Sequence, residues 1–95
     1  MDRIATTFSI SFIIPVLNGE KYMAGCLEYI RREMVPGDEI IVVDNGSTDN
    51  TTAIIAGYPE VKLLTHPKAT IAAVRNYGAK IAGGNLLAFI DCDCL

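Results

Sequence analysis

Apolar residues gather along this chain in four short runs: Phe8 to Val16, Glu39 to Val43, Val61 to Leu64 and Leu86 to Ile90. Short runs that are apolar at successive positions suit strands buried on both faces of a parallel sheet. Between them the spacing changes to threes and fours. Met23, Cys26, Leu27, Ile30 and Met34 share one helical stripe, with Asn18 placed as its N-cap and Pro36-Gly37-Asp38 as its stop. A shorter helix is predicted from near Asp49, capped by Ser47 or Asp49, and ends before Gly57-Tyr58-Pro59. Ile71, Val74, Gly78 and Ile81 mark a third helix, closed by Gly83-Gly84-Asn85. The predicted order is β-α-β-α-β-α-β, with no internal repeat and no low-complexity linker. It places the chain in the α/β class, as a parallel sheet of about four strands flanked by helices.

In such sheets ligands bind beyond the carboxyl ends of the strands, where strand order reverses. The residues that follow each run are therefore the candidates for chemistry. They are Pro15-Val16-Leu17-Asn18, Asp44-Asn45-Gly46-Ser47, His66-Pro67 and Asp91-Cys92-Asp93.

Composition narrows the functional classes. At 95 residues, 51% apolar and 20% charged, the chain is one small globular unit. Eight basic against eleven acidic residues give a net charge of -3, which argues against a nucleic-acid backbone as partner. The apolar runs fall far short of the ~20 residues that a membrane-spanning helix needs. The N-terminus shows neither a long apolar core nor a cleavage site, so no signal peptide is expected. Three cysteines, Cys26, Cys92 and Cys94, cannot all pair, and the last two are too close for an easy bridge. Reduced thiols and a cytoplasmic location are the expectation.

Asp91 and Asp93 follow an apolar strand, and alternation puts both carboxylates on one side, where a cation between or beside them would relieve their repulsion. Hard oxygen ligands suit Mg2+ or Mn2+, which keep waters and bridge to substrate phosphates. The simpler reading makes one a turn cap and leaves the other solvated. Asp44 is placed to accept a hydrogen bond from a bound nucleotide, or equally to head an Asp-Asn-Gly-Ser turn. Thr48, Asp49 and Asn50 read as helix caps. Arg75, among small residues on the third helix, either faces solvent or reaches a strand-tip aspartate or a ligand phosphate. His66 reads as a turn residue. Cys92 and Cys94 amount to half a zinc site. No phosphate-binding glycine loop opens any helix, and Gly83-Gly84 is a helix stop.

Four stretches in order carry a resemblance more specific than any one of them. They are Phe-Ile-Ile-Pro-Val-Leu-Asn-Gly-Glu at 12–20, Glu-Ile-Ile-Val-Val-Asp-Asn-Gly-Ser-Thr-Asp-Asn-Thr at 39–51, Ala-Ala-Val-Arg-Asn-Tyr-Gly at 72–78 and Leu-Leu-Ala-Phe-Ile-Asp-Cys-Asp at 86–93. Together the set resembles the start of the family 2 inverting glycosyltransferases. The resemblance implies the Rossmann-like, nucleotide-sugar-binding half of a GT-A fold over residues 1–95. It implies that Pro15, with Val16, Asn18 and Glu20 of the same stretch, belongs to the nucleotide-sugar site. Asp44 would accept from the base, commonly uracil, and Arg75 would lie beside base and diphosphate. Asp91 would meet the ribose or the metal shell, and Asp93 would bind Mn2+ or Mg2+. The donor would be UDP-linked and the acceptor is unspecified. Many such relatives serve envelope polysaccharide synthesis and work at the membrane periphery.

Members of that family continue well beyond the metal motif, whereas this sequence ends at Leu95. The expectation is a truncated GT-A fold that lacks its acceptor half. The base that an inverting transfer needs would lie beyond Leu95. An exposed sheet edge would then invite self-association into a homo-oligomer. Two alternatives remain open at this point. One is a haloacid-dehalogenase-type phosphatase with Asp91 as nucleophile, against which the motif stands last rather than first. The other is a fragment that binds nucleotide or itself without turnover.

Overall fold

A computed structural model describes residues 8–91. The chain runs β1 (Ile10–Val16), α1 (Met23–Glu33), β2 (Glu39–Asp44), α2 (Thr51–Ala56), β3 (Val61–Thr65), α3 (Ile71–Ile81) and β4 (Leu86–Phe89). The four strands form one sheet in the order β3-β2-β1-β4, and every pairing is parallel. α1 and α2 connect neighbouring strands outward from β1. α3 instead carries the chain from β3, at one edge, to β4 on the far side of β1. Strand order therefore reverses between β1 and β4, and a crevice opens at their carboxyl ends.

Alternation along the central strands sends side chains into two cores. Ile10, Phe12, Ile14 and Val16 of β1 join Ile40 and Val42 of β2 against Met23, Cys26, Leu27 and Ile30 of α1 and Ile55 of α2. On the other face Ile41 and Val43 pack against Val74 of α3. Gly78 lets α3 settle there, since a Cβ on it would stand 2.7 Å from Ile13 Cγ2 and 3.1 Å from Val43 Cγ2. β1 and β2 are buried on both faces, as their unbroken apolar runs predict. β3 and β4 are not, because each has a strand on one side alone. Leu63 is 36%, Leu86 48% and Phe89 46% exposed.

The amino ends of the strands are tied by a polar knot. Ser11, fully buried, donates from Oγ to the Glu39 carboxylate at 2.6 Å, and the Gly83 N–H donates to the same oxygen at 2.7 Å. The Gly84 N–H donates to Ser11 Oγ at 2.9 Å. These bonds hold the Glu39 carboxyl below the usual glutamate range, the Ser11 hydroxyl contributing most and the Gly83 amide next.

Two expectations are corrected here. Asn18 does not cap α1, because Tyr22 holds that position without a side-chain cap bond while Asn18 adopts a left-handed conformation at φ 53°. Cys26 is not a reduced thiol but is disulfide-bonded. Cys92 and Cys94 lie outside the described residues. Among the described residues no helix is long and apolar enough to cross a membrane.

Candidate functional site

At the carboxyl end of the sheet lies a cavity of about 200 Å3 lined by Pro15, Val16, Leu17, Tyr22, Asn45, Ile71, Val74 and Asp91. It draws on the tips of β1, β2 and β4 and on the first turns of α3. Its volume is below the roughly 300–1,000 Å3 of whole-ligand sites, so it suits one end of a larger ligand. Pro15 explains part of its shape. The backbone of alternate β1 residues faces β4, as Leu86 N–H to Ser9 O and Ile90 N–H to Ile13 O show. The β1–β4 pairing register stops at Ile13 with Phe89. Pro15, with no N–H to offer, comes next on that side, where the strands part.

The β1 and β2 tips are fastened to each other. Asn18 N–H donates to Ser47 Oγ at 2.8 Å, and Asn18 Oδ1 accepts the N–H groups of Thr48 at 2.8 Å and Asp49 at 3.3 Å. Gly19 N–H donates to Thr51 Oγ1 at 2.8 Å, and Glu20 N–H donates to the Asp49 carboxylate at 3.2 Å. Asp49 also accepts the Thr51 N–H at 2.9 Å and its hydroxyl. Desolvation works to raise its pKa, but the Thr51 and Glu20 bonds prevail and hold it below the usual range. Asn18 and Glu20 thus serve the loop through these bonds and are not among the residues lining the cavity, whereas Pro15 and Val16 are.

Asp44 and Asn45 part company at the end of β2. Asp44 is 3% exposed, and its carboxylate accepts from Gly46 N–H at 3.2 Å, Ser47 N–H at 3.0 Å and the Ser47 hydroxyl. It heads its own turn, and the structure does not bring it to the cavity wall. Asn45, one of the strand-tip candidates but given no role from sequence, is the β2-tip residue that lines the cavity. Its signal was the period of two: Asn45 follows Ile41 and Val43 onto the face where α3 packs.

Arg75 and Asp91 do meet. Arg75 Nη2 lies 3.2 and 3.3 Å from the two Asp91 carboxylate oxygens, while Arg75 Nε is buried with no hydrogen-bond partner among the described residues. The pair joins α3 to the end of β4 at the mouth of the crevice. His66 is a turn residue, its N–H donating to Asp44 O at 2.8 Å. Its ring stacks on Tyr77, centroids 4.9 Å apart. Asp93, expected as metal ligand, lies outside the described residues, as do Cys92 and Cys94. Among the described residues no group of three or more His, Cys, Asp or Glu could hold a metal. Among the described residues lining the cavity, Asp91 offers hard, half-exposed oxygens of the kind Mg2+ and Mn2+ take.

Residues 11–95 match the family model described as glycosyl transferase family 2. The chain is 35% identical over 92 residues to the uncharacterized glycosyltransferase YibD of Escherichia coli K12, covering 93% of this chain and 27% of that protein. A crystal structure of S. aureus TarS 1-349 in complex with UDP superposes with a TM-score of 0.80 at 30% identity, over 90% of this chain and 27% of that one. Glucosyl-3-phosphoglycerate synthase from Mycobacterium tuberculosis, in complex with Mn2+, UDP and glucosyl-3-phosphoglycerate, superposes with a TM-score of 0.74 at 25% identity, over 90% of this chain and 34% of that one. The chain thus spans about a quarter to a third of the length of these proteins.

Proposed function

The chain belongs to glycosyl transferase family 2, and on that premise we propose that its crevice binds the nucleoside-diphosphate end of a sugar donor, UDP-linked, for transfer to an acceptor hydroxyl. Family membership displaces the phosphatase alternative for Asp91. The observation that carries the reading is the cavity at the strand-order reversal, with apolar walls from Pro15, Ile71 and Val74 and the Arg75–Asp91 pair at its mouth. A lining that pairs apolar side chains with placed polar groups such as Asn45 and Asp91 suits a heterocyclic base. UDP is the probe of choice because TarS and the synthase carry it in their complexes.

Asp91 and Asp93 would hold a divalent cation of the Mn2+ or Mg2+ class, which when bound would neutralise charge developing on the leaving diphosphate. Arg75 adds a fixed positive charge beside the same carboxylate. Asp44 shapes the turn that presents Asn45, rather than meeting the base itself. No described residue is assigned the general base.

The test is a calorimetric titration of the chain with UDP and with GDP, in Mn2+ and then in EDTA. Metal-dependent binding that favours UDP is the expected result. A folded chain that binds neither nucleotide under either condition would remove the proposal.

A further inference from the structure

One side chain of the cavity wall is joined at both ends to the backbone of a single residue on another tip. Asn45 Nδ2 donates to Ala69 O at 3.0 Å, and Asn45 Oδ1 accepts the Ala69 N–H at 3.0 Å. The carboxamide thus matches both the donor and the acceptor of Ala69, which no other side chain of this length but asparagine does. Ala69 lies in the short segment between β3 and α3, which is strapped at neighbouring points as well. His66 N–H is bonded to Asp44 O, Pro67 packs beside Gly46, and Thr70 Oγ1 caps α3 by accepting the Ala73 N–H at 3.1 Å. Between the Pro67 and Ala69 anchors, Lys68 is held in the left-handed region at φ 56°. A side chain with a Cβ stays there only where its surroundings over-determine it.

We propose that Asn45 is a positioning residue: its carboxamide pairs with the Ala69 backbone, fixes residues 66–70 and so sets the Ile71 and Val74 wall of the nucleotide pocket. The identity of the ligand rests on the donor reading above; the clamp itself does not. Without the Ala69 anchor, Lys68 relaxes out of the left-handed region, and the start of α3, with Ile71, moves with it. Asn45 acts on the base through Ala69, not by reading the base edge.

Aspartate at this position separates the two roles by the sign of a pH dependence. An ionised carboxylate faces the Ala69 carbonyl with no proton to donate, whereas the protonated acid restores the donor. The groups nearby that titrate or carry charge are Asp44, His66, Lys68, Arg75 and Asp91, all present in the parent chain, whose own pH profile is the reference. Amide exchange at Ala69 and affinity for uridine, which carries no phosphate and needs no metal, are measured by NMR for the parent, Asn45→Asp and Asn45→Ala.

In Asn45→Ala the Ala69 amide, its acceptor removed, should exchange at least about tenfold faster than in the parent; in Asn45→Asp near pH 7.5 the carboxylate still accepts that N–H but faces the Ala69 carbonyl, and uridine should bind more weakly than to the parent. Uridine affinity of Asn45→Asp should recover toward the parent value as the pH falls to about 4.5, approaching the ordinary aspartate range. Asn45→Ala should show the loss and no recovery, and it provides the reading if the charged variant fails to fold. Unchanged Ala69 exchange in Asn45→Ala would overturn the clamp. Uridine affinity that rises in Asn45→Asp at neutral pH and falls on acidification would overturn it in favour of direct base contact. A parent chain that binds neither uridine nor UDP would instead defeat the donor reading, with Ala69 exchange still deciding whether the clamp exists.

Discussion

Replacing Asp44 by alanine strands three donors of the turn that follows β2: the N–H groups of Gly46 and Ser47 and the Ser47 hydroxyl. A carboxylate this buried is there for those partners, and leaving them unpaired costs about 1–3 kcal/mol. Asp44→Ala should lower the urea midpoint accordingly and weaken UDP binding equally in Mn2+ and in EDTA. Asp93→Ala should instead remove the metal-dependent part of binding and leave the rest. Parallel titrations of the two variants check this, and the same loss of metal dependence in both would contradict the division of roles. At this scale the sequence was legible where chemistry alone points to a partner. Arg75 was open to solvent, a strand-tip aspartate or a ligand phosphate, and the structure joins it to the strand-tip Asp91. Asn18 was not legible, because an asparagine before a helix signals a cap and a left-handed turn residue equally well. Only the β2-tip amides of Thr48 and Asp49, brought alongside its side chain, decide between them.

Elements meet at both ends of the sheet, and the amino end is where acid should act first. Glu39 of β2 receives Ser11 of β1 and the Gly83 amide of the α3–β4 connection, and its pKa is depressed by those bonds. A depressed carboxyl gives stability that is present above its unfolded value, about 4.3, and lost as the pH falls through its lower folded value, because the unfolded chain binds the proton first. Stability should therefore decline on acidification below about pH 4.5, and Glu39→Gln should flatten that decline while lowering stability at neutral pH. Denaturant melts of both proteins between about pH 3 and 7 test it; parallel curves would assign the acid loss to other carboxylates. Every helix and strand was predicted in order, since the apolar period changes cleanly between them. What the period concealed was burial: β4 reads as apolar as β1, yet it lies at an edge.

For the whole molecule that edge has a consequence. Leu86, Leu87 and Phe89 are 44–48% exposed, and no charged residue lies within β4. The opposite edge carries Lys62, whose ammonium stands 4.0 Å from Glu39, and a lysine on an edge discourages pairing with another chain. Since the Leu86 and Ile90 N–H groups face β1, those of Leu87 and Phe89 point outward by alternation. The 95-residue chain is expected to self-associate through β4, and Leu87→Lys is expected to shift it toward monomer. Sedimentation velocity over a range of concentrations reads both. Identical concentration dependence in the two proteins would place the contact elsewhere, and a strictly monomeric parent would dispose of the idea.

Hydrophobic period, turn residues and four ordered motifs were enough to determine the class, the element order and the family, because each is a local property that the chain carries before it folds. Tertiary structure alone decided which residues face the cavity. Strand order placed the reversal between β1 and β4, and α3 settled on the Ile41–Val43 face. That choice turned Asn45 rather than Asp44 toward the pocket. Adjacent strand residues point to opposite faces, and which face becomes a wall depends on a helix far along the chain.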